Sequence, residues 1–249
     1  MVDVITGDQS VDNAVTTWSP GHRPYTLSVR PGTSDANTVL ACSGQHDEYS
    51  LPQGIQGWAL DVGGHIGAAT IPLLLDNPDL HVVVVEALPE NVRLLHHNLM
   101  RNGVEDRAIL VHAAAGATTD PVLLGYGTDG THEFIGNVAN PQGGRTVEVK
   151  GATLRGLMLL RGPAEDEPWA WAKLDCEGCE YGVLASPWVP SLLHIKGEVH
   201  QGWDRLLDLL TPTHEVYGPG DDFGPFSAEL RGAYDPQAIR DAQRFGDRA

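Results

Sequence analysis

The 249-residue chain is 41% hydrophobic and carries 33 acidic against 16 basic residues, a formal charge of −17. The length and apolar share fit one globular domain, and a surface this acidic repels phosphate backbones, which argues against a nucleic-acid partner. No stretch reaches the roughly 20 apolar residues of a membrane span, the N-terminus lacks a basic segment leading into an apolar one, and three cysteines build no disulfide framework. A protein of the reducing cytoplasm, without a membrane partner, is therefore expected. The preference for Ala, Gly, Asp and Arg over Lys suits a GC-rich bacterial genome.

In chain order, residues 1–20 are polar with little periodicity and predict a loose arm. Tyr25–Val29 reads as a short strand, Pro31–Asp35 as a turn that Ser34 or Asp35 can cap, and Thr38–Ala41 alternates weakly. Residues 45–52 are polar around Tyr49. The segment 1–56 is thus expected to be an arm and cap across the main sheet, as readily a structural extension as a binding element.

The core is expected over 57–232. Trp58–Val62 is a strand that leads into Gly63, Gly64 and Gly67, and a helix is predicted over Ile66–Asp76, with a kink or restart at Pro72. His81–Val85 holds four successive valines, a pattern for a strand buried on both faces, and ends at Glu86. Pro89 opens a helix, Val92, Leu95 and Leu99 recur at helical spacing, and Gly103 closes it. Asn98 and Asn102 read as surface or capping residues of that helix. Ala108–His112 is a third strand, followed by Ala113 and Ala114. This β-α-β-α-β order predicts an α/β fold with a doubly wound, mostly parallel, right-handed sheet.

Val122–Tyr126 and Thr146–Val149 read as strands around a long polar loop, 128–144, which contains His132, Glu133 and Asn137. Thr153–Leu160 is a short amphipathic helix. Trp169–Leu174 is a fourth strand ending at Asp175, and a helix begins at Glu180. Leu192–Val199 is a fifth strand, closing on Glu198 and His200. After a helix over Trp203–Leu210, His214–Tyr217 and Phe226–Leu230 read as antiparallel closing strands, and 233–249 as a partly helical tail. No repeat or linker divides the chain, so a single domain over 1–249 is expected; the sequence sets no oligomeric state.

In open α/β sheets ligands bind beyond the carboxyl ends of the strands, and here those ends carry Asp61, Glu86, His112, Asp175, Glu198 and His200. The glycine turn after the first strand admits unusual backbone angles and lets a ligand approach bare backbone, with helix N–H groups behind it. Read as a dinucleotide fingerprint, the turn places Val62 where the first glycine belongs; a purely structural turn is the plain alternative. Glu86, 25 residues after Asp61, can accept both hydroxyls of an adenosine ribose. Cys176 and Cys179 form Cys-x-x-Cys, but Cys42 is the only other cysteine, so no Cys-rich zinc site can be built; the pair reads as small, partly buried residues without a redox role.

Asp61-Val-Gly-Gly-His-Ile-Gly67, the strand-end Glu86, Lys173-Leu-Asp-Cys-Glu-Gly-Cys-Glu180 and Glu198-Val-His200 together resemble the FkbM-type methyltransferases over roughly residues 25–200. Gly64-His65 stand where the family carries Ala-Asn, and Ala87-Leu88 depart from the residues usual after the strand-end Glu. The resemblance implies a Rossmann-like class I methyltransferase fold, S-adenosylmethionine as cofactor, and O-methylation of a sugar or other hydroxylated small molecule. It places Asp61, Gly63 and Gly67, with Gly64 and His65 between them, on the methionine side of the cofactor. Glu86 and Ala87 would lie at the ribose, and His112, Ala113 and Ala114 at the adenine. Asp175 would sit at the amino group or the transferring methyl, with Glu177, Glu198 and His200 around the acceptor. His200 is then the expected base, oriented by Glu198. A competing expectation is a divalent metal held by Asp175, Glu177, Glu198 and His200. A nicotinamide-dependent oxidoreductase and a catalytically inactive cofactor binder remain the alternative functions.

Overall fold

The computed structural model describes residues 3–6, 13–17, 23–43, 48–126, 136–137, 145–200 and 202–246. At the front, β1 (Asp3–Thr6), β2 (Asn13–Thr17) and β3 (Tyr25–Val29) pair as an antiparallel sheet. The loose arm expected over 1–20 is therefore corrected: Ala14, Val15 and Thr17 are buried, so this stretch has an apolar side that aperiodic polarity concealed. The weak alternation at Thr38–Ala41 belongs to a helix, α1 (Asp35–Ala41), with Val39 inward and Leu40 exposed.

The central elements follow as β4 (Gly57–Val62), α2 (Thr70–Asp76), β5 (Leu80–Glu86), α3 (Pro89–Arg101) and β6 (Ala108–His112). Next come the short strands β7 (Ala114–Gly116), β8 (Val122–Tyr126), β9 (Gly136–Asn137), β10 (Arg145–Val149) and β11 (Gly151–Thr153), then α4 (Leu154–Leu159). The chain ends with β12 (Trp171–Leu174), α5 (Glu180–Leu184), β13 (His194–His200), α6 (Trp203–Leu210), β14 (His214–Tyr217), β15 (Phe223–Leu230) and α7 (Pro236–Gly246). Apart from Gly136 and Asn137, the polar loop 128–144 lies outside the described residues.

Seven strands form the main sheet in the order β14-β15-β13-β12-β4-β5-β6. The five from β13 to β6 are parallel, β15 runs against β13, and β14 pairs antiparallel with β15. The valine run of β5 shows why the sheet is buried on both sides: Val82 and Val84 pack into one core with α2, α3 and the front segment, while Val83 and Val85 face the other core, toward α4, α5 and α6. Each fully buried valine contributes roughly 1.5–3 kcal/mol.

Two expectations on this frame change. The first crossover helix begins at Thr70 rather than Ile66, so Pro72 falls in its first turn, where backbone N–H groups have no intrahelical partner and proline costs little; no kink is required. Asn98 is fully buried rather than at the surface. Its side chain accepts from Ser28 N at 2.8 Å and donates to Ser28 O at 3.1 Å and Ile66 O at 2.9 Å, and Asn102 binds the backbone of Thr26 in the same way. These two amides fasten β3 to α3, and with it the front segment to the core.

Candidate functional site

Beyond the carboxyl ends of β4, β5 and β12 lies a cleft open to solvent on one side, the place where open α/β sheets bind small molecules. Residues 62–65, 85–87, 113–115 and 175–177 line it, together with Lys173, Cys179, Asn91 and Leu124. The front segment closes one wall with Thr38, Cys42 and Tyr49.

The glycine turn is shaped chiefly by protein contacts. Gly63 and Gly67 have φ of +83° and +93°, which other residues adopt only with strain. A Cβ on Gly63 would stand 1.8 Å from Asp175 O, one on Gly64 2.3 Å from Val84 Cγ2, and one on Gly67 2.7 Å from Leu95 Cδ1. The side-chain space at these glycines is therefore filled by Asp175 just after β12, by β5 and by α3, while Gly63 and Gly64 line the cleft with bare backbone. The helix expected directly behind the turn begins at Thr70.

Glu86 ends β5 inside the cleft and is 7% exposed. Its Oε2 accepts His65 N–H at 2.7 Å, and its Oε1 accepts Leu88 N–H at 2.8 Å and Asn91 Nδ2 at 3.3 Å. Burial raises its pKa, and the Leu88, His65 and Asn91 donors pull it back. The carboxylate lines the cleft, within reach of a hydroxyl bound there. Beside it Val62, Val85, Ala113, Ala115 and Leu124 give an apolar wall that suits a purine. The residues present thus fit an adenosine-bearing cofactor.

His65, in the left-handed region at φ +48°, places Nε2 3.3 Å from Asp35 Oδ1. Burial lowers its pKa to about 4, although the Asp35 carboxylate pulls the other way. Asp35 is clamped by Arg30, whose Nη2 reaches Asp35 Oδ1 at 2.7 Å and Asn91 Oδ1 at 2.8 Å. Asp35, Arg30, Asn91, Glu86 and His65 form a closed ring of polar contacts between the front segment and the glycine turn.

Lys173 is 4% exposed on β12. Its Nζ donates to Gly63 O at 2.9 Å and lies 3.3 Å from Asp61 Oδ1 and 3.7 Å from Asp175 Oδ2. Burial opposes its charge, but the two aspartates win and hold its pKa above the ordinary lysine value. Asp175 is pushed upward by burial and more strongly downward by Lys173 and by Tyr49, whose hydroxyl donates to Oδ2 at 2.5 Å. Asp61 is buried, accepts the Thr70 hydroxyl and pairs with Lys173.

At the far end of the cleft, β13 projects Glu198 and His200 from one face, two residues apart. His200 Nε2 lies 3.7 Å from Asp175 Oδ1, 3.7 Å from Glu177 Oε2 and 3.6 Å from Glu198 Oε2. Its Nδ1 is 3.0 Å from Glu180 Oε1. Glu180, and not Glu198, therefore orients the ring. Burial lowers the imidazole pKa, but the Glu180 hydrogen bond and the surrounding carboxylates outweigh it and raise it to about 9, so the ring is not tuned to neutrality as the sequence suggested.

The turn between β12 and α5 carries a disulfide, Cys176–Cys179, with Cα atoms 5.5 Å apart. This overturns the reading of two unlinked small cysteines: the turn brings their Cα atoms within bridging range. Disulfides persist in oxidising surroundings, so the cysteines give no support to a reducing compartment. The same turn is held by Glu180, whose carboxylate accepts the N–H groups of Cys176 and Gly178, each at 2.9 Å.

Of the residues expected at the cofactor, Gly63, Gly64, His65, Glu86, Ala87, Ala113, Ala114 and Asp175 line the cleft. Asp61 and Gly67 lie behind its wall, and His112 is exposed, with Nε2 3.1 Å from Ala87 O. Of those expected at the acceptor, Asp175 and Glu177 line the cleft, while Glu198 and His200 stand directly behind them. Tyr49, Asn91 and Glu180 were not anticipated as site residues. Tyr49 stood out as an aromatic in a polar stretch, and Lys173 and Glu180 were visible as the two ends of the motif but without a role.

The sheet order, with its cleft beyond the carboxyl ends of the parallel strands, defines a Rossmann-like α/β protein. More narrowly, the chain belongs to the FkbM methyltransferase family, whose domain, described as "Methyltransferase FkbM domain", matches residues 61–242. Among curated proteins nothing matches significantly. Similar solved structures include a precorrin-6Y C5,15-methyltransferase from Geobacter metallireducens GS-15, at 12% identity and TM-score 0.42 over 79% of this chain and 87% of that one. A putative O-methyltransferase from Klebsiella pneumoniae shows 13% identity and TM-score 0.39 over 70% and 73%. TrmK from M. capricolum, in complex with S-adenosylhomocysteine, shows 7% identity and TM-score 0.45 over 78% and 72%. The nicotinamide-dependent alternative gives way to the family. Among the described residues no helix is long and apolar enough to cross a membrane.

Proposed function

We propose that the protein methylates a hydroxyl oxygen of a small polar acceptor. The observation that carries this reading is the acidic end of the cleft, where Asp175 and Glu177 face the cavity with Glu198 and His200 behind them. Carboxylates accept hydrogen bonds from a hydroxyl and orient its oxygen. An amine placed there would be held as the ammonium ion, which has no lone pair for attack. The net charge of −17 favours a small molecule over nucleic acid.

S-adenosylmethionine, when bound, supplies an electrophilic methyl group. The chain's own residues do the rest. Glu86 would accept a ribose hydroxyl from the cleft, and the apolar wall from Val62 to Leu124 would take the base. Lys173 and Tyr49 fix Asp175 from behind, so its carboxylate meets the acceptor in one orientation. Such positioning of the two reactants can supply much of the rate. The acidic cluster receives the hydroxyl proton and passes it to solvent.

The test is incubation with methyl-labelled S-adenosylmethionine and a panel of sugars, alcohols, phenols and amines, the products being read by mass and carbon chemical shift. Labelled methyl ethers are expected, with S-adenosylhomocysteine binding weakened about tenfold in Glu86→Gln, roughly one hydrogen bond's worth. Labelled amines alone would refute the reading. Cofactor binding without turnover on any acceptor would favour an inactive relative.

A further inference from the structure

We propose that Asp175, Glu198 and His200, with Glu177 beside them, form a site for one divalent cation at the acceptor end of the cleft. The proposal deepens the reading of that end as the place where a hydroxyl is methylated, and it rests on that reading for its consequence but not for its geometry.

Three observations carry it. First, one ring nitrogen is surrounded by three carboxylate oxygens at 3.6–3.7 Å, and no hydrogen bond to Nε2 forms among the described residues. Those distances exceed the 2.7–3.2 Å of an N–H···O bond. They fall inside the roughly 3–4.2 Å that separates neighbouring and opposite ligand atoms around a cation with bonds of about 2.1 Å. Ligand atoms of Asp175, Glu198 and His200 all lie within 4.8 Å of one another.

Second, the far ring nitrogen is tied down independently of those three acids. Nδ1 lies 3.0 Å from Oε1 of Glu180. Glu180 is fully buried and is itself fixed by the N–H groups of Cys176 and Gly178. A carboxylate on the second nitrogen is the arrangement that orients a metal-ligating imidazole; it points Nε2 into the space between the three oxygens. Third, Asp175 is divided between two tasks. Oδ2 takes the Tyr49 hydroxyl and faces Lys173, while Oδ1 is the oxygen turned to His200.

One imidazole with two or three carboxylate oxygens suits a first-row divalent ion such as Mn²⁺. Glu177, Glu198 and Asp175 are partly exposed, which leaves coordination positions open to water or an acceptor oxygen. A cation held there would let a bound hydroxyl lose its proton to solvent more readily, and that oxygen would form the new C–O bond as the methyl–sulfur bond breaks with its electron pair left on sulfur.

The test uses the full chain stripped with a chelator, titrated with Mn²⁺ by calorimetry and by the loss of the free-ion electron paramagnetic resonance signal. One Mn²⁺ per chain is expected. His200→Ala should abolish binding. Glu180→Gln, which touches no ion, should weaken it about ten- to a hundredfold, with circular dichroism confirming the fold of each variant. S-adenosylhomocysteine is titrated in parallel and should bind all forms. Failure of the folded wild type to bind Mn²⁺, Mg²⁺ or Zn²⁺, or equal binding by His200→Ala, would overturn the site. Full methylation in excess chelator would remove its catalytic role yet leave the hydroxyl acceptor standing. Mn²⁺ binding with no hydroxyl acceptor methylated would retain the site and overturn the acceptor reading instead.

Discussion

His65 shows how one substitution in a familiar turn changes the physical behaviour of a site. It occupies the place where related turns carry Asn, it lines the cleft, and burial keeps it neutral down to about pH 4. In the unfolded chain a histidine titrates near 6.5. Between those values the unfolded state holds the extra proton, so acid favours unfolding, and stability falls as pH drops from about 6.5 to 4. The shift corresponds to about 3 kcal/mol. His65→Asn should flatten this part of the pH–stability curve, measured by urea denaturation at stepped pH. An unchanged slope would show that the acid sensitivity arises elsewhere.

At the scale of elements, the β12–α5 turn is held twice, by the disulfide and by the Glu180 carboxylate. The bridge closes a very short loop, which limits its entropic contribution to about 2 kcal/mol. Replacing both Cys176 and Cys179 by Ser should therefore lower the unfolding free energy by no more than that and leave S-adenosylhomocysteine affinity unchanged. A larger loss, or loss of binding, would show that the bridge itself shapes the cleft. The elements also show what the sequence made legible. Strands that end in acids announced their place because a parallel sheet delivers every carboxyl end to one edge, and Glu86 and Asp175 followed from that. Asp61 shares the strand-end position but turns inward to Lys173 and Thr70, since the direction of a side chain depends on neighbours far away in the chain. Tyr49 and Asn91 were hidden for the same reason: their partners, Asp175 and Arg30, are 126 and 61 residues away. Pro72 was misread because the start of the helix, which decides whether proline is tolerated, carries no capping side chain.

For the molecule as a whole, the front segment is part of the core. Tyr25, Leu27, Val29, Val39, Tyr49 and Leu51 are buried and together contribute on the order of 10 kcal/mol. That is comparable with the entire stability of a typical domain, about 5–15 kcal/mol. A chain beginning at Gly57 should consequently fail to fold, giving no cooperative thermal transition; a sharp transition from such a truncation would show that the segment is dispensable.

The family's domain begins at residue 61, yet Thr38, Cys42 and Tyr49, all upstream, form one wall of the cleft. The cleft is thus completed by residues upstream of the matched stretch, and that wall is tied to the rest of the molecule: Tyr49 reaches Asp175, Arg30 and Asp35 bind Asn91 and the glycine turn, and Asn98 and Asn102 hold β3. A chimaera joined between residues 50 and 57 would keep its cleft only if the incoming front end carried those partners and the buried side chains of the core.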